Sequence, residues 1–256
     1  MSLKLRHHVN VMGAVLGSSI TLWRGTSVIH PAKQPDKPIQ LYDMEGSPQC
    51  RSVRSALTAL GLDVEIYPCP LGGQRFSPRA LELGGKPGIP VLVDTNTDIV
   101  KTRADAIVKY LFRRYAHTIV PNYYKAGMLP HAAGTLATMV RQMRGIGVRE
   151  SRLPVQPLEL WSFESSPYSS LVRERLTELE LPYVLHNIGK EQFSDMGPAT
   201  MRIKPGPYIP KAGGKREKLL AQLGRVQVPY LEDPNTGTKM YESALIVEYL
   251  EQQYAL

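Results

Sequence analysis

The residues of this chain whose types and spacing could support thiol chemistry are two cysteines, two Ser-Pro turns and one Glu-Ser pair. The first turn reads DMEGSPQC, with Ser47, Pro48 and Cys50 standing where a polar turn gives way to an apolar-periodic run. A cysteine in place of Ser47 would be held as a thiolate by the free N–H groups and dipole of a helix N-terminus. Serine cannot exchange disulfides; it caps the helix, and Pro48 fits the first helical position, where a missing N–H costs little. Cys50 occupies the resolving position of a dithiol couple that lacks its first member. Its other candidate partner is Cys69 in YPCP, provided the two Cα atoms come within about 7 Å. The competing reading is a pair of small, half-buried thiols. Two cysteines with no histidine at ligand spacing do not complete a tetrahedral zinc set, so no metal is expected.

The elements that must position these residues occur twice. PIQLYDMEGSPQCRSVRSAL (38–57) aligns without a gap on PLELWSFESSPYSSLVRERL (157–176), pairing Pro48 with Pro167 and Val53, Arg54 and Leu57 with Val172, Arg173 and Leu176. GIPVLVDTNTDIVKTRADAIVKYLFRRYA (88–116) aligns on QVPYLEDPNTGTKMYESALIVEYLEQQYA (227–255). A change of offset between the two blocks places an insertion in the second copy, at 190–225. Each copy reads as a strand, a turn, an amphipathic helix and a second strand, parallel through a right-handed crossover. A variable helix, an x-Pro strand, a hairpin and a closing helix follow. This is an α/β chain of two thioredoxin-like domains in tandem. The expected boundaries are an N-terminal extension at 1–37, repeat 1 at 38–116, a helical linker at 117–156 and repeat 2 at 157–256.

With strand, Ser-Pro turn, helix and x-Pro hairpin in this order, the sequence resembles the glutathione-binding N-terminal domain of glutathione S-transferases, present twice. Its tandem layout, with EGSPQC and YPCP in the first copy, resembles the tandem thioredoxin-fold proteins of plant and algal plastids. The resemblance implies a glutathione site in repeat 2. Ser166 would stabilise the glutathione thiolate, and Val228 and Pro229 would form the Val-Pro turn, with a cis proline, beside the cysteinyl group. Glu242 and Ser243 would hold the γ-glutamyl group. In repeat 1 the acid is replaced by Arg103, followed by Ala104, so that Ser47, Pro48, Ile89 and Pro90 mark a degenerate site. Neither copy is followed by the all-helical domain that completes an acceptor pocket in ordinary transferases. Three functions stay open: a glutathione-binding, transferase-like protein; a non-catalytic subunit of an organelle complex; and a thiol switch using Cys50 and Cys69.

Composition narrows the setting. With 31 Lys+Arg against 23 Asp+Glu the formal charge is +8, which favours anionic partners. One basic cluster, Arg141, Arg144, Arg149 and Arg152, reads as solvated surface. The other, Arg202, Lys204, Lys211, Lys215, Arg216 and Lys218, lies in the insertion and is the candidate contact (202–218) for a protein complex or anionic surface. Neither interleaves aromatics as a nucleic-acid site would. Two cysteines exclude a disulfide-stapled secreted scaffold and fit a reducing compartment or an organelle stroma, and the resemblance implies a plastid first and a mitochondrion second. The uncharged stretch 9–23 is shorter than the ~20 residues a spanning helix needs. It stands as a targeting remnant, a membrane-touching helix or, the reading we favour, a segment packed on protein.

Overall fold

The computed structural model describes residues 3–197 and 207–256. Its centre is one eight-stranded sheet, ordered β4-β3-β1-β2-β6-β5-β7-β8. Repeat 1 supplies β1 (Ile39–Asp43), β2 (Val64–Pro68), β3 (Val91–Asp94) and β4 (Ile99–Thr102), and repeat 2 supplies β5 (Leu158–Ser162), β6 (Tyr183–Asn187), β7 (Tyr230–Asp233) and β8 (Thr238–Tyr241). Within each repeat the first two strands are parallel and the last two antiparallel. The repeats join where β2 pairs antiparallel with β6, Val64 opposite Leu185 and Ile66 opposite Tyr183. Ile66 and Leu185 are equivalent positions, as are Val64 and Tyr183, so the junction has the self-complementary register of a two-fold axis.

The crossover helices α2 (Pro48–Leu60) and α6 (Pro167–Glu178) begin alike, with Ser47 and Ser166 as N-caps accepting from the backbone N–H three residues on and proline at the first position. α2 stops at Gly61, which takes the left-handed conformation that glycine adopts without strain. α2 packs on α4 (Ala104–Tyr115) and α6 on α8 (Ser243–Tyr254). Together they cover one face of the sheet with a single apolar core running through both repeats, from Ile39, Leu41 and Leu57 to Leu160, Leu176 and Leu250. Strand alternation sends the next residues to the other face. There α3 (Ser77–Gly84) closes a small cluster over Tyr42, and α7 (Lys215–Leu223) closes another beside Trp161.

Two further helices were not expected to be related. α1 (Leu3–Ile20) comes from the N-terminal extension and α5 (Met128–Val140) from the segment between the repeats, and they pack antiparallel on each other. A Cβ on Gly13 would meet the Val140 carbonyl at 3.1 Å, and one on Gly17 would meet that of Ala137 at 3.3 Å. The Gly13/Gly17 spacing thus serves close packing inside the chain, and among the described residues no helix is long and apolar enough to cross a membrane. α1 reaches over α6 of repeat 2, while α5 lies on α2 of repeat 1. RGTSV after α1 and RGIGV after α5 make matching bridges, Ser27 with Lys190 and Gly147 with Leu71. Each helix is therefore the leading element of its own repeat, laid across the opposite one.

Candidate functional site

In both repeats the Ser-Pro turn lies beneath one of these crossing helices. In repeat 1, Thr138 of α5 donates its hydroxyl to the Gly46 carbonyl at 2.8 Å, and the Gly46 N–H donates to the Gly145 carbonyl at 3.0 Å. A Cβ on Gly134 would stand 2.8 Å from Pro48 Cβ, so only glycine lets α5 settle there. Repeat 2 repeats the scheme: Ser18 of α1 donates to the Ser165 carbonyl at 2.9 Å, and the Ser165 N–H donates to the Gly25 carbonyl at 3.2 Å. Ser47 and Ser166 are left 8% and 3% exposed. Ser166 Oγ accepts from the Ser169 N–H at 3.3 Å and from the Ser169 hydroxyl at 2.9 Å.

Both x-Pro bonds, Ile89-Pro90 and Val228-Pro229, are cis. Glu242 is exposed at the start of α8, its carboxylate held by the Gln227 amide at 2.5 Å. Its φ of 69° lies in the left-handed region, which is rare for a bulky residue. Arg103, its equivalent, has φ 71°, so this backbone belongs to the fold and not to the acid. Ser243 is buried, and its hydroxyl lies 3.4 Å from Nε2 of His7 on α1. The first turns of α1 thus meet Ser243, at one end of the expected site, and its last turns cover the Ser-Pro turn at the other.

Cys50 and Cys69 are both buried free thiols. Burial pushes Cys50 well above its ordinary value, with the Asp43 carboxylate adding to it, and raises Cys69 to about 12. Neither is a thiolate near neutral pH, the form that attacks disulfides and electrophiles. In the basic insertion, Arg202 and Lys204 lie outside the described residues. Lys215 turns inward to Asp63, and Arg216, buried, donates to the carbonyls of Gly189 and Ile188. Lys211 and Lys218 are exposed.

In the first basic cluster Arg149 and Arg152 are exposed, as expected, but Arg141 and Arg144 are not solvated surface. Arg141 is buried, donating to Glu174 at 2.8 Å and to Glu45 at 3.0 Å, and Arg144 reaches Glu174 at 2.9 Å. These belong to a charge lattice on the two-fold axis. Arg54 donates Nε–H to Glu164 of the other repeat at 2.8 Å, and Arg173 donates Nε–H to Glu45 at 3.0 Å. Each arginine also donates to the backbone carbonyl of its own repeat's glutamate, at 3.0 Å for Glu45 and 2.8 Å for Glu164. Burial alone would raise the Glu45 pKa, but Arg173, Arg54 and Arg141 outweigh it and hold the carboxyl far below the usual range. The signal was present in the aligned copies, where Glu45 and Glu164, like Arg54 and Arg173, are identical charges at equivalent positions.

Two parallel-first thioredoxin-like units, each with a Ser-Pro helix start and a cis-proline turn ahead of a closing hairpin, define a tandem glutathione transferase-like thioredoxin fold. The family described as glutathione S-transferase, N-terminal domain, matches residues 41–118 and again 160–256, and the chain belongs to it. No curated protein sequence matches the chain significantly.

Proposed function

We propose that this protein is a non-catalytic member of its family, an interaction or structural subunit in which both ancestral ligand sites are closed by the chain's own helices. The observation that carries this reading is the burial of Ser47 and Ser166 under α5 and α1, with both hydroxyls used as helix caps. Thiolate stabilisation needs a hydroxyl that can turn toward a bound sulfur, and in repeat 2 that approach is taken by α1. At the other end of the same site, His7 of α1 stands 3.4 Å from the Ser243 hydroxyl, where a γ-glutamyl group would have to enter. An organelle complex is the setting that the plastid resemblance implies. The test is a conjugation assay with glutathione and an aromatic electrophile. The expected rate equals the enzyme-free rate; a saturable rate that Ser166→Ala abolishes would overturn the proposal.

A second reading keeps glutathione or a related thiol as a ligand of repeat 2, through Val228, Pro229, Glu242 and Ser243. It is favoured by the exposure of Glu242 next to the cis Val228-Pro229 turn. It requires the first turns of α1 to lift from Ser243, which would make affinity rise when residues 1–8 are deleted. An unchanged affinity in that deletion removes this reading.

A further inference from the structure

We propose that the outer face of the α1–α5 pair is a docking surface for anionic lipid, on which the protein lies without crossing the bilayer. The inward faces of the two helices are built from small residues: Ala14, Gly17 and Ser18 on α1, and Gly134, Ala137 and Thr138 on α5 are buried. Their large apolar side chains point the other way. On α1, Val9, Met12 and Leu16 are 43, 62 and 54% exposed; on α5, Leu129, Leu136 and Met139 are 84, 50 and 57% exposed. Spacings of three and four on α1, and of seven and three on α5, put each set on one helical stripe. Because the helices pack directly on each other, the two exposed stripes lie on neighbouring helices, and adjoining exposed apolar side chains mark interaction surfaces.

Charge selects the occupant. No Asp or Glu precedes Asp36, and none occurs between Asp105 and Glu150, so both helices and their flanks carry no acidic residue. Arg6 is exposed at one end of the face, and Lys125 at the other. Trp23 and Tyr123 stand beside the C-terminal end of α1, where the Arg24 guanidinium lies 5.2 Å from the Tyr123 ring centroid. Apolar helices rimmed by cations, with aromatics at the edge, suit the boundary between anionic headgroups and acyl chains. A second copy of this chain would bring the same cations and the same +8 charge against them. This surface is distinct from the glutathione site and does not depend on whether that site is closed.

Flotation of the full chain with vesicles tests it, using phosphatidylcholine alone or mixed with phosphatidylglycerol, at low and high salt. Expected is binding to the anionic vesicles that weakens with salt and that is at least about tenfold weaker in Arg6→Gln/Lys125→Gln. Leu16→Glu/Leu136→Glu is expected to abolish it with an unchanged circular dichroism melt. No binding to either vesicle, or binding that ignores both double variants, overturns the proposal. So does a dimer in sedimentation that Leu16→Glu/Leu136→Glu dissociates while vesicles are left unbound, which would make the face a self-association surface. Should the Glu pair fail to fold, the Gln pair decides alone.

Discussion

Glu45 and Arg173 meet across the two-fold axis as a fully buried pair, and Arg54 with Glu164 is their mirror. Burying four such charges is affordable only because every carboxylate oxygen faces a guanidinium and each arginine is also tied to a backbone carbonyl. Removing one partner strands the rest. Glu45→Ala should cost about 3–5 kcal/mol in urea unfolding, far more than any surface ion pair. The acid limb follows in sign: the folded pKa of Glu45 is depressed, so its contribution is complete above the unfolded carboxyl's value of about 4.3 and is lost as pH falls through the folded value. A wild-type unfolding midpoint that does not fall between pH 5 and 3 relative to Glu45→Ala would contradict this. The thiols give a second residue-scale expectation. With both pKa values raised by burial, intact mass after native treatment with iodoacetamide at pH 7.5 should show no adduct, and two after denaturation. Rapid single labelling of the native chain would reopen the thiol-switch reading.

At the scale of elements, the junction of β2 and β6 is pinned at its edge by groups from both repeats. His186 of β6 lies 3.1 Å from Asp63 just before β2 and 3.1 Å from Glu159 of β5, and its ring stacks on Trp161. Burial works to lower the His186 pKa, but the hydrogen bonds and charges of Asp63 and Glu159 outweigh it and hold it above 6.5. The ion-paired imidazolium therefore stabilises the junction fully below pH 6.5, and that share is lost as pH rises through the raised folded value. The stability difference between wild type and His186→Gln should be largest near pH 6 and shrink toward pH 9; a difference that grows with pH would contradict the assignment. Strands and Ser-Pro caps were legible in sequence because the repeat prints each of them twice, and the cis prolines because the resemblance implied them. The role of α1 and α5 was not, since their inward residues are glycine, alanine, serine and threonine, which carry no periodic apolar signal. Arg141 and Arg144 misled for a related reason: arginine reads as surface until its carboxylates, distant in sequence, are folded against it.

For the whole molecule, a continuous sheet, a shared core and helices laid across opposite repeats leave no unit that closes its own core. Unfolding should be a single transition, with the fluorescence of Trp23 and Trp161 and far-UV circular dichroism coincident in urea; two separated transitions would mean that the repeats fold independently. On the proposed reading, the same exchange of helices that is expected to make the chain one cooperative body also closes both Ser-Pro sites, so that stability and loss of ligand access have one origin. Isothermal titration with glutathione tests that claim most directly. The closed sites predict no saturable heat up to about 10 mM ligand, where even a weak millimolar site would register. A one-to-one isotherm that Glu242→Ala removes would contradict it.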